Sequence, residues 1–481
     1  MSETHPAAGA AGRPTAAHTP GHELLPPRLL PTLYFGWAHL CLAAACAVAA
    51  LHAERVAAIF YDPAAVTAVH LITLGWLTST ILGALYIVCP LAMRTPLPAG
   101  RTDYLAFALV LLGTLGAVGH FLIERYSGAG WSAAPLLVGI ALVGWRVVRA
   151  LRHAPIQAAI RLHVTLAFCN ILGAGALGLL LAFDNDLGFM PGNVIANLSA
   201  HAHLASVGWV AMMILGVGYR MLPMMLPSAM PKGSILAGGA ILLEVGTLGL
   251  FVSLPGGRLA ATAEGAISPV WRAGVCASAL LIVAGLGVFL AQVRWMAHHR
   301  RPAPAARPRP DFHVWHVRQA LVYLAVAALI GFVLLGTPVS DYTLGPAGAY
   351  GAAGLVGFLA QMVIGVEATL LPMFAGIHAI ARNSTASRNA AAAEPGAAPG
   401  DAPLPAVVSP HRMAHRGVAA ATFILWTAGT PLLTLGIGFG SPAAVKTGAW
   451  LLFAAALLGA LNAARILRFA FIDGGGAPPG T

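Results

Sequence analysis

Long apolar runs alternate with short polar segments along nearly the whole chain. Stretches such as 30–51 and 321–335 contain no Asp, Glu, Lys or Arg. About 20 such residues in a helix cross a hydrocarbon layer roughly 30 Å thick. The pattern predicts twelve membrane-spanning helices, at about 30–51, 64–91, 103–124, 132–150, 159–183, 194–223, 234–254, 271–296, 313–336, 349–378, 417–439 and 443–471. Gly and Ala are frequent inside these runs, which lets membrane helices approach closely. The expectation is an all-α membrane protein.

Composition agrees with that pattern. Of 481 residues only 9% are charged and 58% are hydrophobic, against about 25% and 45–50% in a soluble domain. The formal net charge of +11 does not indicate a nucleic-acid binder, because the basic residues sit in short loops between apolar segments. One alternate set of loops holds Arg94/Arg101, Arg146/Arg149/Arg152, Arg220/Lys232, the arginines of 294–309 and those of 382–416. The other set is acidic or mixed, with Glu54/Arg55/Asp62, Glu124/Arg125 and Asp184/Asp186. By the positive-inside rule the first set is cytoplasmic. This predicts a bacterial inner-membrane protein with both termini in the cytoplasm and lipid as its surroundings. Residues 1–29 read as a disordered cytoplasmic tail, 297–312 and 382–416 as cytoplasmic linkers, and 472–481 as a second tail. The five cysteines form neither C-x-x-C nor C-x-x-C-H, which excludes covalently attached haem as far as that motif defines it.

An internal repeat organises the chain. The second apolar run reads His70, Gly75, Trp76, Gly83, Tyr86 and Pro90; the sixth reads His203, Gly208, Trp209, Gly216, Tyr219 and Pro223 at one constant offset, without a gap. The tenth run repeats Gly357, Phe358, Gly365 and Pro372, with Ala352 where the histidine would stand. A repeat at every fourth helix predicts three quasi-repeated four-helix units, about 30–150, 159–296 and 313–471, around a quasi-threefold axis. A transporter made of two six-helix halves would repeat differently.

Ionisable side chains inside a membrane are costly and are functional candidates. His70, His201 and His203 fall at a similar depth, roughly 9 Å below one face by helix rise. Two residues turn a helix by about 200°, so His201 and His203 face opposite ways and serve different centres. Haem iron takes axial histidines. The expectation is one or two b-type haems: His70 and His203 sandwich a low-spin haem iron, with Trp76 and Trp209 packing nearby, and His201 ligates a second. Hydrogen bonding between helices is the alternative use of the same side chains. His120 is a weaker candidate at the same depth. His39, His163 and His316 each sit early in the first helix of a unit, and interhelical hydrogen bonds suit them better. Glu244 and Glu367 lie within the membrane and are proton-relay candidates. Arg55, Arg125, Arg258 and Arg272 lie on the outer side, where they could bond haem propionates.

The run His201-Ala-His203-Leu-Ala-Ser-Val-Gly208-Trp209, continued through Gly216 and Tyr219, resembles the H-x-H helix of subunit I in the haem–copper oxidase superfamily. The likeness is to the cbb-type cytochrome c oxidases and the nitric oxide reductases. It covers about 25 residues closely and about 440 in architecture. It implies twelve helices with quasi-threefold symmetry, in which the first histidine binds the gas-reactive haem. The second histidine shares the low-spin haem with a histidine of the second helix, which His70 resembles. The pattern departs in two respects. The pair lies on the sixth helix instead of the tenth, and the seventh run lacks the copper-binding histidines. Copper therefore has no support in the sequence. In character the chain is similar to the NnrS-like haem membrane proteins. The resemblance implies a haem protein handling electrons or a diatomic gas, NO before O2, supplied by a redox donor or partner subunit. Two other functions stay open: the catalytic subunit of an oxidase or nitric oxide reductase, and a transporter of metal or haem.

Overall fold

The computed structural model describes residues 24–191, 193–225, 227–259, 268–302, 312–337, 341–393 and 413–472. Twelve helices in it are long and apolar enough to cross a membrane. In chain order they are α1 (Leu29–Leu51), α2 (Pro63–Leu91), α3 (Arg101–Leu122), α4 (Tyr126–Leu151), α5 (Ala158–Leu187) and α6 (Val194–Met225). The second half comprises α7 (Ile235–Gly256), α8 (Pro269–His298), α9 (Phe312–Leu335), α10 (Tyr342–Asn383), α11 (Arg416–Gly438) and α12 (Pro442–Ala470). Helices close every backbone hydrogen bond internally, as a hydrocarbon solvent demands. The chain is a multi-pass, all-α membrane protein.

The expected tails fall largely outside the described residues. So does most of the two expected linkers, with one difference. The helix of α10 continues unbroken as far as Ala393, past the point where the polar composition suggested a linker. Ala, Ser, Asn and Arg are compatible with a helix once an apolar segment has nucleated it.

The helices pair as α3 with α4, α7 with α8 and α11 with α12, and the units join through α4 against α5 and α12 against α1. Within each unit the first helix packs on the second: α1 on α2, α5 on α6, and α9 on α10. The second helices form the centre. In α2, 78% of the most apolar window is buried inside the protein, against 22% in α8 and α9. These are the three helices that carry the sequence repeat.

Each of the three contains an eight-residue π-helical segment: Leu71–Thr78, Leu204–Ala211 and Ala353–Ala360. The segments begin directly after His70, His203 and Ala352, so the repeat read from side chains is also a repeat of backbone geometry. π-Helix is rare and concentrates at functional sites. One glycine per segment explains the close packing beside it. A methyl at Gly75, Gly208 or Gly357 would collide with Cys41, Asn170 or Tyr323 on the first helix of the same unit. The segments of α2 and α6 touch each other, as do those of α6 and α10, and Trp209 Nε1 donates to Thr78 Oγ1 at 3.0 Å across the first of these contacts.

Candidate functional site

His70 and His201 each stand seven residues after their helices begin, roughly 10 Å deep by helix rise. Asp62 caps α2 by accepting from Ala64 N (2.8 Å), and Asn193 caps α6 by accepting from Ile195 N (2.8 Å). Side-chain caps of this kind fix where a helix starts, and here they set both histidines at one depth.

The two imidazoles face one another between the first and second units. Their ring centroids are 6.3 Å apart and their planes differ by 24°. His70 Nδ1 bonds the carbonyl oxygen of Val66 at 2.8 Å, and His201 Nδ1 bonds that of Ala174 at 2.9 Å. A carbonyl only accepts, so each Nδ1 carries the proton and each Nε2 keeps its lone pair. Among the described residues neither Nε2 has a hydrogen-bond partner. Both rings are half-buried. Phe121 packs on His70 with centroids 4.7 Å apart. Gly178 gives the His201 ring its space, since a Cβ there would lie 2.8 Å from His201 Cε1.

His203 does not share this site. It faces the third unit, where its Nε2 lies 3.1 Å from the hydroxyl of Tyr350, and its Nδ1 bonds Ser199 O at 2.7 Å. The His203 and Tyr350 rings are 6.0 Å apart at 27°, almost the geometry of His70 and His201. The structure thus brings His70 together with His201, and His203 with Tyr350 instead of with His70. The 200° turn between His201 and His203 held, but which one faces which unit depends on the handedness of the ring of units. Tyr350 escaped the sequence reading, although it stands where His201 does in the repeat, two residues before Ala352.

The remaining candidates lie elsewhere. His120 turns toward α4, with Nδ1 2.7 Å from Gly116 O and 3.2 Å from Ser132 Oγ. Glu244 accepts from Asn170 Nδ2 at 2.7 Å, which ties α7 to α5. Glu367 and His39 form a buried pair, Oε1 to Nε2 at 2.7 Å, joining α10 to α1. His316 bonds Gln361 Oε1 at 3.2 Å, whereas His163 bonds only the carbonyl of Ala159 in its own helix, at 2.8 Å. Trp209 packs on Phe168 with centroids 5.1 Å apart, and Trp76 on Trp426 at 6.4 Å. Arg55 donates to Asp62 and Glu124, each at 3.0 Å, and the Arg258 side chain lies outside the described residues.

Among the described residues no group of three or more His, Cys, Asp or Glu is placed to hold a metal ion. What the chain does offer is a pair of imidazoles, His70 and His201, with ring centroids 6.3 Å apart. Two imidazoles bonded to one metal from opposite sides, at about 2.0–2.1 Å each and with ring centres about 1 Å beyond, keep their centroids about 6 Å apart. No protein-family model matches this sequence, and no curated protein matches it either.

Proposed function

We propose that His70 and His201 ligate the iron of one b-type haem, held between the first and second four-helix units, and that the protein is a membrane electron carrier. The observation that carries this reading is the pair itself: centroids 6.3 Å apart, planes within 24° and each Nδ1 tied to a backbone carbonyl. A carbonyl on the far nitrogen orients a metal-binding histidine and raises its basicity. A haem held by two histidines has no open position and serves electron transfer rather than gas chemistry.

The Arg-rich loops lie on the face where α1 begins, and the positive-inside rule makes that face cytoplasmic. The haem then stands toward the outer side of what we take to be a bacterial inner membrane. Reaction with NO is a second reading and rests on His203, whose Nε2 meets the Tyr350 hydroxyl at 3.1 Å. A second haem on His203 would need Tyr350 to swing away, and an iron bound by one histidine leaves a site for a diatomic gas.

The test is a reduced-minus-oxidised optical spectrum of the purified full chain with pyridine haemochrome analysis, after haem supply during expression is confirmed. Low-spin b-type bands are expected in the wild type and in His203→Ala, and should be lost in His70→Ala and His201→Ala. Haem-free protein overturns the reading. Loss in His203→Ala with retention in His201→Ala overturns the pairing. A gas-induced spectral shift that disappears in His203→Ala would establish the NO reading.

A further inference from the structure

A cavity of about 530 Å³ lies between the third and first units, enclosed by α1, α2, α9, α10, α11 and α12. It reaches the face where α1 begins, where Phe312 and Arg416, the first residues of α9 and α11, line it. Deeper in, its wall includes His39 and Glu367. His39 stands ten residues into α1, roughly 15 Å below that face by helix rise. The haem-candidate histidines His70, His201 and His203 are not on this wall.

His39 Nε2 and Glu367 Oε1 are 2.7 Å apart. The other carboxylate oxygen, Oε2, has no partner among the described residues and is not among the sealed, unpartnered atoms, whereas His39 Nδ1 is. Glu367 also borders a smaller cavity of about 70 Å³, but the wall of that one is wholly apolar. The accessible oxygen of Glu367 therefore faces the larger cavity. An ionised oxygen is not left against hydrocarbon: either water meets it or a proton neutralises it. Both require a path from water to this side chain, and the cavity is that path. Glu244 differs, since it is bonded to Asn170 at 2.7 Å and borders neither cavity.

We infer that the His39–Glu367 pair is a proton-binding site served through this cavity from the face where α1 begins. A carboxylate only accepts, so the hydrogen of the 2.7 Å bond is on Nε2. A hydronium ion in the cavity gives its proton to Oε2 and becomes water. The Nε2–H bond to Oε1 is kept, and the charge of the pair rises by one. The other titratable groups on the wall are His313 and His316 on α9 and Arg416 on α11; α2 and α12 contribute none. The inference stands independently of any haem.

The test is pH-difference infrared spectroscopy of the full chain in nanodiscs, which reads protonated carboxyl groups and is blind to histidine in that band. A carboxylic acid C=O band should grow as pH falls, be missing in Glu367→Gln and persist in Glu244→Gln. Glutamine keeps the size of the side chain and an oxygen for His39. A wild-type band in Glu367→Gln would show that the pair is a fixed structural contact and overturn the inference. Gly459→Cys tests the route without touching the pair, in a chain carrying Cys169→Ala and Cys276→Ala. Gly459 lines the cavity eleven residues before α12 ends, and nothing lies within 4 Å of a Cβ there. Gly173 has the same open space but lies outside the cavity. Only a thiolate reacts, and it does not form in apolar surroundings, so a charged thiol reagent should label Gly459→Cys about tenfold or more faster than Gly173→Cys. Equal rates would assign the cavity to lipid tails and overturn the inference.

Discussion

Replacing Gly178 with alanine tests the proposed haem site without touching either ligand. The added methyl would lie 2.8 Å from His201 Cε1 and 3.3 Å from Nδ1. Ordinary van der Waals contact begins at 3.4 Å, so the ring has to retreat by about 0.6 Å. A metal–ligand bond tolerates about 0.2 Å. The ring cannot retreat freely, because its Nδ1 is tied to Ala174 on the same helix at 2.9 Å. Alanine is a better helix former than glycine by about 1 kcal/mol, so α5 itself should not suffer. The expected cost is that of disturbing a ligand's support, about tenfold to a hundredfold in haem affinity, or roughly 1.4–2.7 kcal/mol. The assay is haem transfer from the purified protein to an apo-haem acceptor, followed optically, with the low-spin bands as a second readout. Gly173→Ala is the control on the same helix, since nothing lies within 4 Å of a Cβ there. A Gly178→Ala protein that holds haem as tightly as wild type, with unchanged bands, would refute the argument. Equal loss in Gly173→Ala would refute it as well.

Two further variants test the packing that positions the site. His39 and Glu367 have side chains 13% and 7% exposed, and removing one member of a buried pair typically costs about 3–5 kcal/mol whereas replacing both by apolar groups is often neutral. Thermal denaturation in detergent should therefore rank His39→Phe and Glu367→Leu below the double variant, and a double variant no better than the singles would contradict the pair. Trp209→Phe removes the donor to Thr78 Oγ1 at 3.0 Å and leaves a buried hydroxyl unpaired, at a cost of about 1–3 kcal/mol. A lowered melting temperature, largely restored by adding Thr78→Val, is the expected result, and no change in Trp209→Phe would show that the bond is not formed.

Most of the architecture was legible in the sequence because the membrane restricts the choices so strongly. A run of 20 apolar residues has only the helix available to it, and the register of His70 with His203 survives as two π-helical segments that begin one residue later. Ala352, identified only by the absence of a histidine, proved to precede the third such segment. The π geometry itself was not legible, since no residue type demands it. The partner of each histidine was not legible either. Position 201 and position 203 point in opposite directions whatever the fold, but one sequence does not say whether the units follow one another clockwise or anticlockwise.

The structure resolves this with one rule that holds at two interfaces. The later position of one unit meets the earlier position of the next: His70 meets His201, and His203 meets Tyr350. Continued to the third interface, the same register pairs Ala352 with Ala68. Three equivalent places in the repeat thus hold two imidazoles, an imidazole with a phenol, and two methyl groups. Only the first has two imidazoles whose Nδ1 atoms are tied to backbone carbonyls and whose Nε2 atoms have no hydrogen-bond partner among the described residues. In the second the phenol already occupies the nitrogen at 3.1 Å, and the third has nothing to offer a metal. A substitution that restores the first chemistry at the second place, Tyr350→His, should therefore create a second low-spin haem in the full chain. Pyridine haemochrome analysis should then give about one additional haem per chain, abolished again in Tyr350→His/His203→Ala. An unchanged ratio in a folded Tyr350→His protein would show that ring spacing alone does not make the site.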